Sequence, residues 1–147
     1  AGVTVRNVHF DKYATTGQSG AVEVGPHAIV ENCIVTGSHA TGIRIKGNTQ
    51  VRQCRFGWNG LAGLHNGGNE SLVEYCEFDH NGWAGFSGNW SRGGMKMPTV
   101  TNMVIRRNYA HHNTGPGFWF DINAHDNLFE ENLSEFNSWE GLLFELS

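Results

Sequence analysis

Proline is almost missing from this chain, three residues in 147, and charge is thin as well, with Asp, Glu, Lys and Arg making up 16% of the sequence. Such a chain is neither a proline-rich spacer nor a charged disordered tail. Cysteine is scarce too: three residues, none in a Cys-x-x-Cys pair, exclude a disulfide-dense scaffold and a zinc ribbon. No stretch approaches the roughly 18 consecutive apolar residues of a membrane-spanning helix. The reading is therefore a soluble chain without a membrane partner, of the kind left after removal of a signal peptide. A formal net charge of −4 offers no attraction for nucleic acid. Long amphipathic helices, a nucleophile elbow and a phosphate loop are not visible either.

Glycine, by contrast, is abundant, with 20 residues, and its spacing points to a repeat. With Cys76 as the zero position, the equivalents are Val8, Cys33, Cys54, Cys76, Asn108 and Asn132. Five residues further on stand Tyr13, Ser38, Asn59, Asn81, Asn113 and Asn137; nine further on stand Gly17, Gly42, Gly63, Gly85, Gly117 and Gly141. A period of 21–25 residues, broken by one longer step, marks a solenoid whose unit is a single coil.

Two more columns test this register. Three residues before the zero position come Val5, Val30, Val51, Val73, Ile105 and Phe129, all apolar, as a core-facing column requires. The next column, Arg6, Glu31, Arg52, Glu74, Arg106 and Glu130, alternates in sign throughout. Parallel strands stacked about 4.8 Å apart would bring these charges together as a ladder that sets register and solubility rather than chemistry. Cys33, Cys54 and Cys76 stack inward and read as small core residues, not a bridge or a metal site.

Residues 2–26 form an irregular first turn, 27–48 and 49–70 are clean coils, 71–101 contain a loop insertion at about 89–101, and 102–124 and 125–147 complete the series. The expected fold is all-β: a single domain over 1–147, a right-handed parallel β-helix of about six coils with Val51, Val73, Ile105, Cys54, Cys76, Phe78, Phe86 and Phe118 in its core. Both ends stop within strands. An excised piece of a longer protein, or end-to-end self-association, is expected on that ground.

The motifs Asn81-Gly82-Trp83-Ala84-Gly85-Phe86 and Asn113-Thr114-Gly115-Pro116-Gly117-Phe118, with the column Asn59, Asn81, Asn113 and Asn137, resemble those of bacterial right-handed β-helix repeat proteins of the pectate-lyase-like superfamily. The resemblance covers nearly the whole chain. It implies a secreted or cell-surface protein with a polysaccharide partner, acting as a lyase or hydrolase, or as a non-catalytic binding module.

Candidate site residues gather late in the chain. Asn89, Trp90 and Arg92, with Trp119, would present an aromatic platform and polar groups to a sugar, and His112 sits near them in the turn column. Asp121 and Glu145 would stack about 5 Å apart. Such a pair has three readings: a Ca²⁺ site, the acid and nucleophile of glycoside hydrolysis, or two solvated carboxylates. The resemblance implies Lys96 as the base of a lyase, with a cation on Asp121 and Glu145. His80 and His112 share one turn column, where a transition metal could bind, but no third ligand stands at a recognisable spacing.

Overall fold

The apolar column becomes the inner wall of the first of three sheets. In the computed structural model, which describes residues 2–145, Val5, Val30, Val51, Val73, Ile105 and Phe129 are direct partners on successive parallel strands. The four central members are wholly buried. One residue along, the alternating charges meet as expected. Glu31 lies 3.8 Å from Arg6 and 3.3 Å from Arg52, and Arg106 lies 2.9 Å from Glu74 and 4.0 Å from Glu130. A slip by one coil would set like charges side by side.

Each coil adds one short strand to each sheet, so all three sheets are parallel and six-stranded. The second sheet runs from His9–Asp11 to Leu133–Glu135 and the third from Gly20–Glu23 to Leu142–Phe144. Between them lies one apolar core in which Phe56 stacks on Phe78 at 5.2 Å and Phe78 meets Phe118 edge-on at 6.5 Å.

Strands this short, all but Gly93–Pro98 of three or four residues, survive because the corners are locked. Between the first and second sheets Asn7, Asn32, Gln53, Tyr75, Arg107 and Glu131 take left-handed backbone angles; between the second and third Trp58, His80, His112 and Phe136 do so. One left-handed residue between extended ones turns the chain sharply, at about 1–2 kcal/mol for a residue with a side chain. The asparagine ladder offsets that cost. Asn81 donates from Nδ2 to the Phe56 carbonyl at 2.9 Å and to Asn113 Oδ1 at 2.9 Å, while its Oδ1 accepts from the backbone N–H and the Nδ2 of Asn59, each at 3.0 Å. A second ladder continues the cysteine column, with Cys76 N–H donating to Asn108 Oδ1 and Asn108 N–H to Asn132 Oδ1. Cys33, Cys54 and Cys76 are buried and free.

The fourth coil corrects the expected register. Gly85 is not its strand glycine; Gly94 is. Met95 pairs with Leu64 on one side and Phe118 on the other, so Gly94 falls between Gly63 and Gly117. The backbones touch there: a Cβ on Gly94 would stand 2.4 Å from the Gly117 carbonyl oxygen. The insertion at about 89–101 is therefore misplaced. Gly93–Pro98 is a regular strand of the third sheet, and the extra chain is what precedes it, residues 82–92 with the helical turn Gly88–Ser91. Phe86 accordingly leaves the main core and half-buries itself over Ala40, Leu61 and Ala62. The first coil deviates similarly, since Ala21 rather than Gly17 falls opposite Gly42.

Candidate functional site

With the register corrected, one outward column of the third sheet reads Glu23, Arg44, His65, Lys96, Trp119, Leu143. Opposite charges and rings thus stack in sequence along one face. The insertion crosses above this column and closes over its centre. Its helical turn is pinned on two sides by aromatic rings against glycines: a Cβ on Gly17 would lie 2.7 Å from the Trp90 ring, and one on Gly88 would lie 2.6 Å from that of Trp139.

Beneath the insertion Lys96 is 6% exposed and Asp121 also 6%. The Lys96 ammonium lies 2.9 Å from Asp121 Oδ2, donates to the Trp90 carbonyl at 2.9 Å and sits 3.5 Å above the centre of the Trp119 ring. Trp119 in turn donates its indole N–H to Glu145 Oε2 at 3.1 Å. Next along the column, His65 Nε2 is 3.0 Å from Ser91 Oγ. Because the Ser91 hydroxyl donates to the Trp90 carbonyl, it accepts from His65 Nε2–H, which leaves His65 Nδ1 as a bare acceptor. That atom is buried without a partner, as is Arg44 Nε. Burial, followed by the positive charges of Arg44 and Lys96, lowers the His65 pKa to about 4.

A cleft of about 460 Å³ opens beside the insertion, lined by Gln18, Arg44, His65, Asn66, Asn89, Trp90, Ser91, Lys96, Pro98, Asp121 and Ile122. It brings together four of the residues expected from the sequence, Asn89, Trp90, Lys96 and Asp121. Trp119 is not an open platform, being 3% exposed beneath Lys96, whereas Trp90 is 42% exposed at the rim. Arg92 turns away from the cleft to lie 5.5 Å over the Trp139 ring. His112 stands apart, at the corner between the second and third sheets, stacked between His80 and Phe136.

The expected carboxylate pair is divided between separate partners. Asp121 is bound to Lys96 and Glu145 to the Trp119 indole. A Ca²⁺ ion takes about 6–8 oxygen ligands, and among the described residues no three His, Cys, Asp or Glu side chains converge on one point. The ammonium of Lys96 supplies beside Asp121 the positive charge expected of a cation, so this arrangement does not fit Ca²⁺.

The description "right handed beta helix region" matches residues 1–144. The chain belongs to the right-handed β-helix family. No curated protein and no solved structure matches it. In this β-helix the cleft lies where the insertion leaves the regular coil. Arg44 and His65 were visible in the sequence as outward residues two after a repeat glycine; Gln18, Asn66 and Ser91 carried no signal. What joins them is Lys96 in the same column, which the misread fourth coil had assigned to a loop.

The neutral His65 gives the β-helix a pH dependence of known sign. A histidine of pKa about 4 when folded and about 6.5 when unfolded binds more protons unfolded, so stability is complete above pH 6.5 and falls as pH drops from 6.5 towards 4, by up to about 3 kcal/mol. Urea unfolding at pH 7.5 and 4.5 should show this loss, and His65→Gln should flatten it. An equal loss in that variant would place the titrating group elsewhere.

Proposed function

We propose that this β-helix binds an acidic polysaccharide in the cleft beside the insertion. The observation that carries the reading is the convergence on one cleft of an exposed indole, Trp90, a partly exposed guanidinium, Arg44, and the amides of Gln18, Asn66 and Asn89. An indole face matches the apolar face of a pyranose ring, a guanidinium pairs with a uronate carboxylate, and amides serve hydroxyls. A secreted or cell-surface location suits such a ligand.

The same geometry favours binding over cleavage. A lyase base must be able to take a proton from the sugar, but the Lys96 ammonium is held by Asp121, the Trp90 carbonyl and the Trp119 ring beneath the insertion. The test is a panel of uronic-acid polymers (polygalacturonate, alginate, chondroitin) beside neutral polysaccharides, followed by calorimetry and by ultraviolet absorbance of unsaturated products. Binding to an acidic polymer without product is expected, with Trp90→Ala and Arg44→Ala each weakening it about tenfold, roughly 1.4 kcal/mol. Equal affinity for neutral polymers, or none for any, overturns the reading, and accumulating product restores the lyase.

A further inference from the structure

Where the strand Tyr109–His111 of the second sheet turns towards the third sheet, the side chains of His111 and His112 meet with their Nδ1 atoms 2.8 Å apart. We propose that this pair is a two-histidine site for a late first-row divalent metal ion, with Cu²⁺ preferred. The tautomers support it. His111 Nε2 lies 2.9 Å from Glu77 Oε1, and a carboxylate can only accept, so Nε2 carries the proton and the Nδ1 lone pair is bare. A carboxylate on the far nitrogen is the outer partner that orients a metal-bound histidine and raises its basicity.

Both rings are already held. The His111 ring stacks on Tyr109 at 4.1 Å, and His112, fixed by its left-handed backbone, stacks between His80 at 5.1 Å and Phe136 at 5.2 Å. Without an ion, the His112 Nδ1–H donates to the bare nitrogen of His111. A metal takes the place of that proton, which His112 then carries on Nε2, and each ring tilts so that its Nδ1 lone pair leaves the N–N line to point at the ion. Two nitrogens bound at about 2.0–2.1 Å stand about 2.9 Å apart for a right-angle bite and about 3.4 Å for a tetrahedral one. The observed 2.8 Å therefore suits the right angle of tetragonal Cu²⁺ or Ni²⁺ better than tetrahedral Zn²⁺, and Cu²⁺ heads the affinity order. Water completes the coordination, since no three metal-ligating side chains converge among the described residues. His80 is not a member: its Nδ1 is 3.0 Å from Asp79 Oδ2, and Asp79 is itself clamped by Arg55 at 2.7 and 2.8 Å.

Titration of the whole chain with CuCl₂, NiCl₂ and ZnCl₂ at pH 7.5 tests the site by calorimetry and, for copper, by electron paramagnetic resonance. One equivalent of Cu²⁺ should bind with nitrogen hyperfine structure from two imidazoles, ahead of Ni²⁺ and Zn²⁺. His111→Gln and His112→Gln should each weaken this binding about tenfold or more, and Glu77→Gln about tenfold through loss of orientation. His9→Gln, on the end strand of the second sheet and away from the pair, should leave it intact. Circular dichroism of each variant checks the fold, and the two-nitrogen spectrum of the wild type stands whether or not a variant folds. Absence of stoichiometric binding by the wild type, or Cu²⁺ binding unchanged in both His111→Gln and His112→Gln, overturns the proposal.

Discussion

Val73→Asp is expected to abolish the cooperative melting transition of the domain. Val73 is wholly buried, with Val51 and Ile105 as its strand partners, and the backbone groups around it are engaged in the sheet. A carboxyl placed there meets no donor. It must either stay ionised in an apolar interior or take up a proton, and a carboxyl forced neutral by a shift of 3–5 pKa units costs about 4–7 kcal/mol. Loss of the valine burial adds about 1.5–3 kcal/mol. The sum matches the whole stability of an ordinary domain, about 5–15 kcal/mol. Far-ultraviolet circular dichroism on heating should show no sigmoidal transition. A melting curve close to that of the wild type would mean that position 73 does not face the core. The neighbouring change Glu74→Arg provides the contrast, because that side chain points outward and its pairing with Arg106 is a partly exposed ion pair worth about 0–1 kcal/mol. That variant should fold and melt a few degrees lower.

This contrast between adjacent residues is also why the first sheet was readable from sequence. A period of two within each strand and a strict alternation of charge between coils leave only one register that buries Val73 and pairs Glu74. The asparagine ladder was readable for a related reason. Buried amides at one position of each coil satisfy backbone groups that nothing else reaches: the Asn81 amide makes two such bonds, to the Asn59 N–H and the Phe56 carbonyl, and two more along the ladder to Asn59 and Asn113.

The fourth coil misled because two glycine–aromatic steps compete within it. Asn81-Gly82-Trp83-Ala84-Gly85-Phe86 has the same outline as Asn113-Thr114-Gly115-Pro116-Gly117-Phe118, yet only the latter enters the sheet directly. Gly85 has a φ of +76° and open space around it, the marks of a loop, while Gly94 is packed against the backbone of the next coil. Neither property can be seen in residue identities. The consequence reached the site: with Lys96 in a loop, its place between His65 and Trp119 was invisible, and Trp119 read as an exposed platform. Covering of one face by an insertion is a tertiary fact. The paired nitrogens of His111 and His112 were likewise beyond sequence, since adjacent residues of an extended strand would point to opposite faces and only the left-handed turn at His112 swings the second ring towards the first.

Lys96→Met should destabilise the protein by about 3–5 kcal/mol, the loss found when one partner of a buried ion pair is removed. The ammonium is the close positive charge beside Asp121 and also serves the Trp90 carbonyl, so its removal strands a buried carboxylate and loosens the insertion in one step. Methionine keeps most of the aliphatic volume over Trp119, which separates the charge from the packing. Lys96→Met combined with Asp121→Leu removes both charges and should recover most of the loss, because an apolar pair of similar volume avoids the desolvation that the ion pair must overcome. Urea unfolding of the wild type, the single variant and the double variant at pH 7.5 measures both effects. A lysine free to act as a base would behave differently: its loss would leave the midpoint unchanged, and an unchanged midpoint in Lys96→Met would sink the structural role argued for it. Polymer binding measured on the same proteins completes the separation. On the proposed reading Arg44 and Trp90, rather than the buried pair, face the ligand, so the double variant should retain polysaccharide affinity while Trp90→Ala weakens it about tenfold.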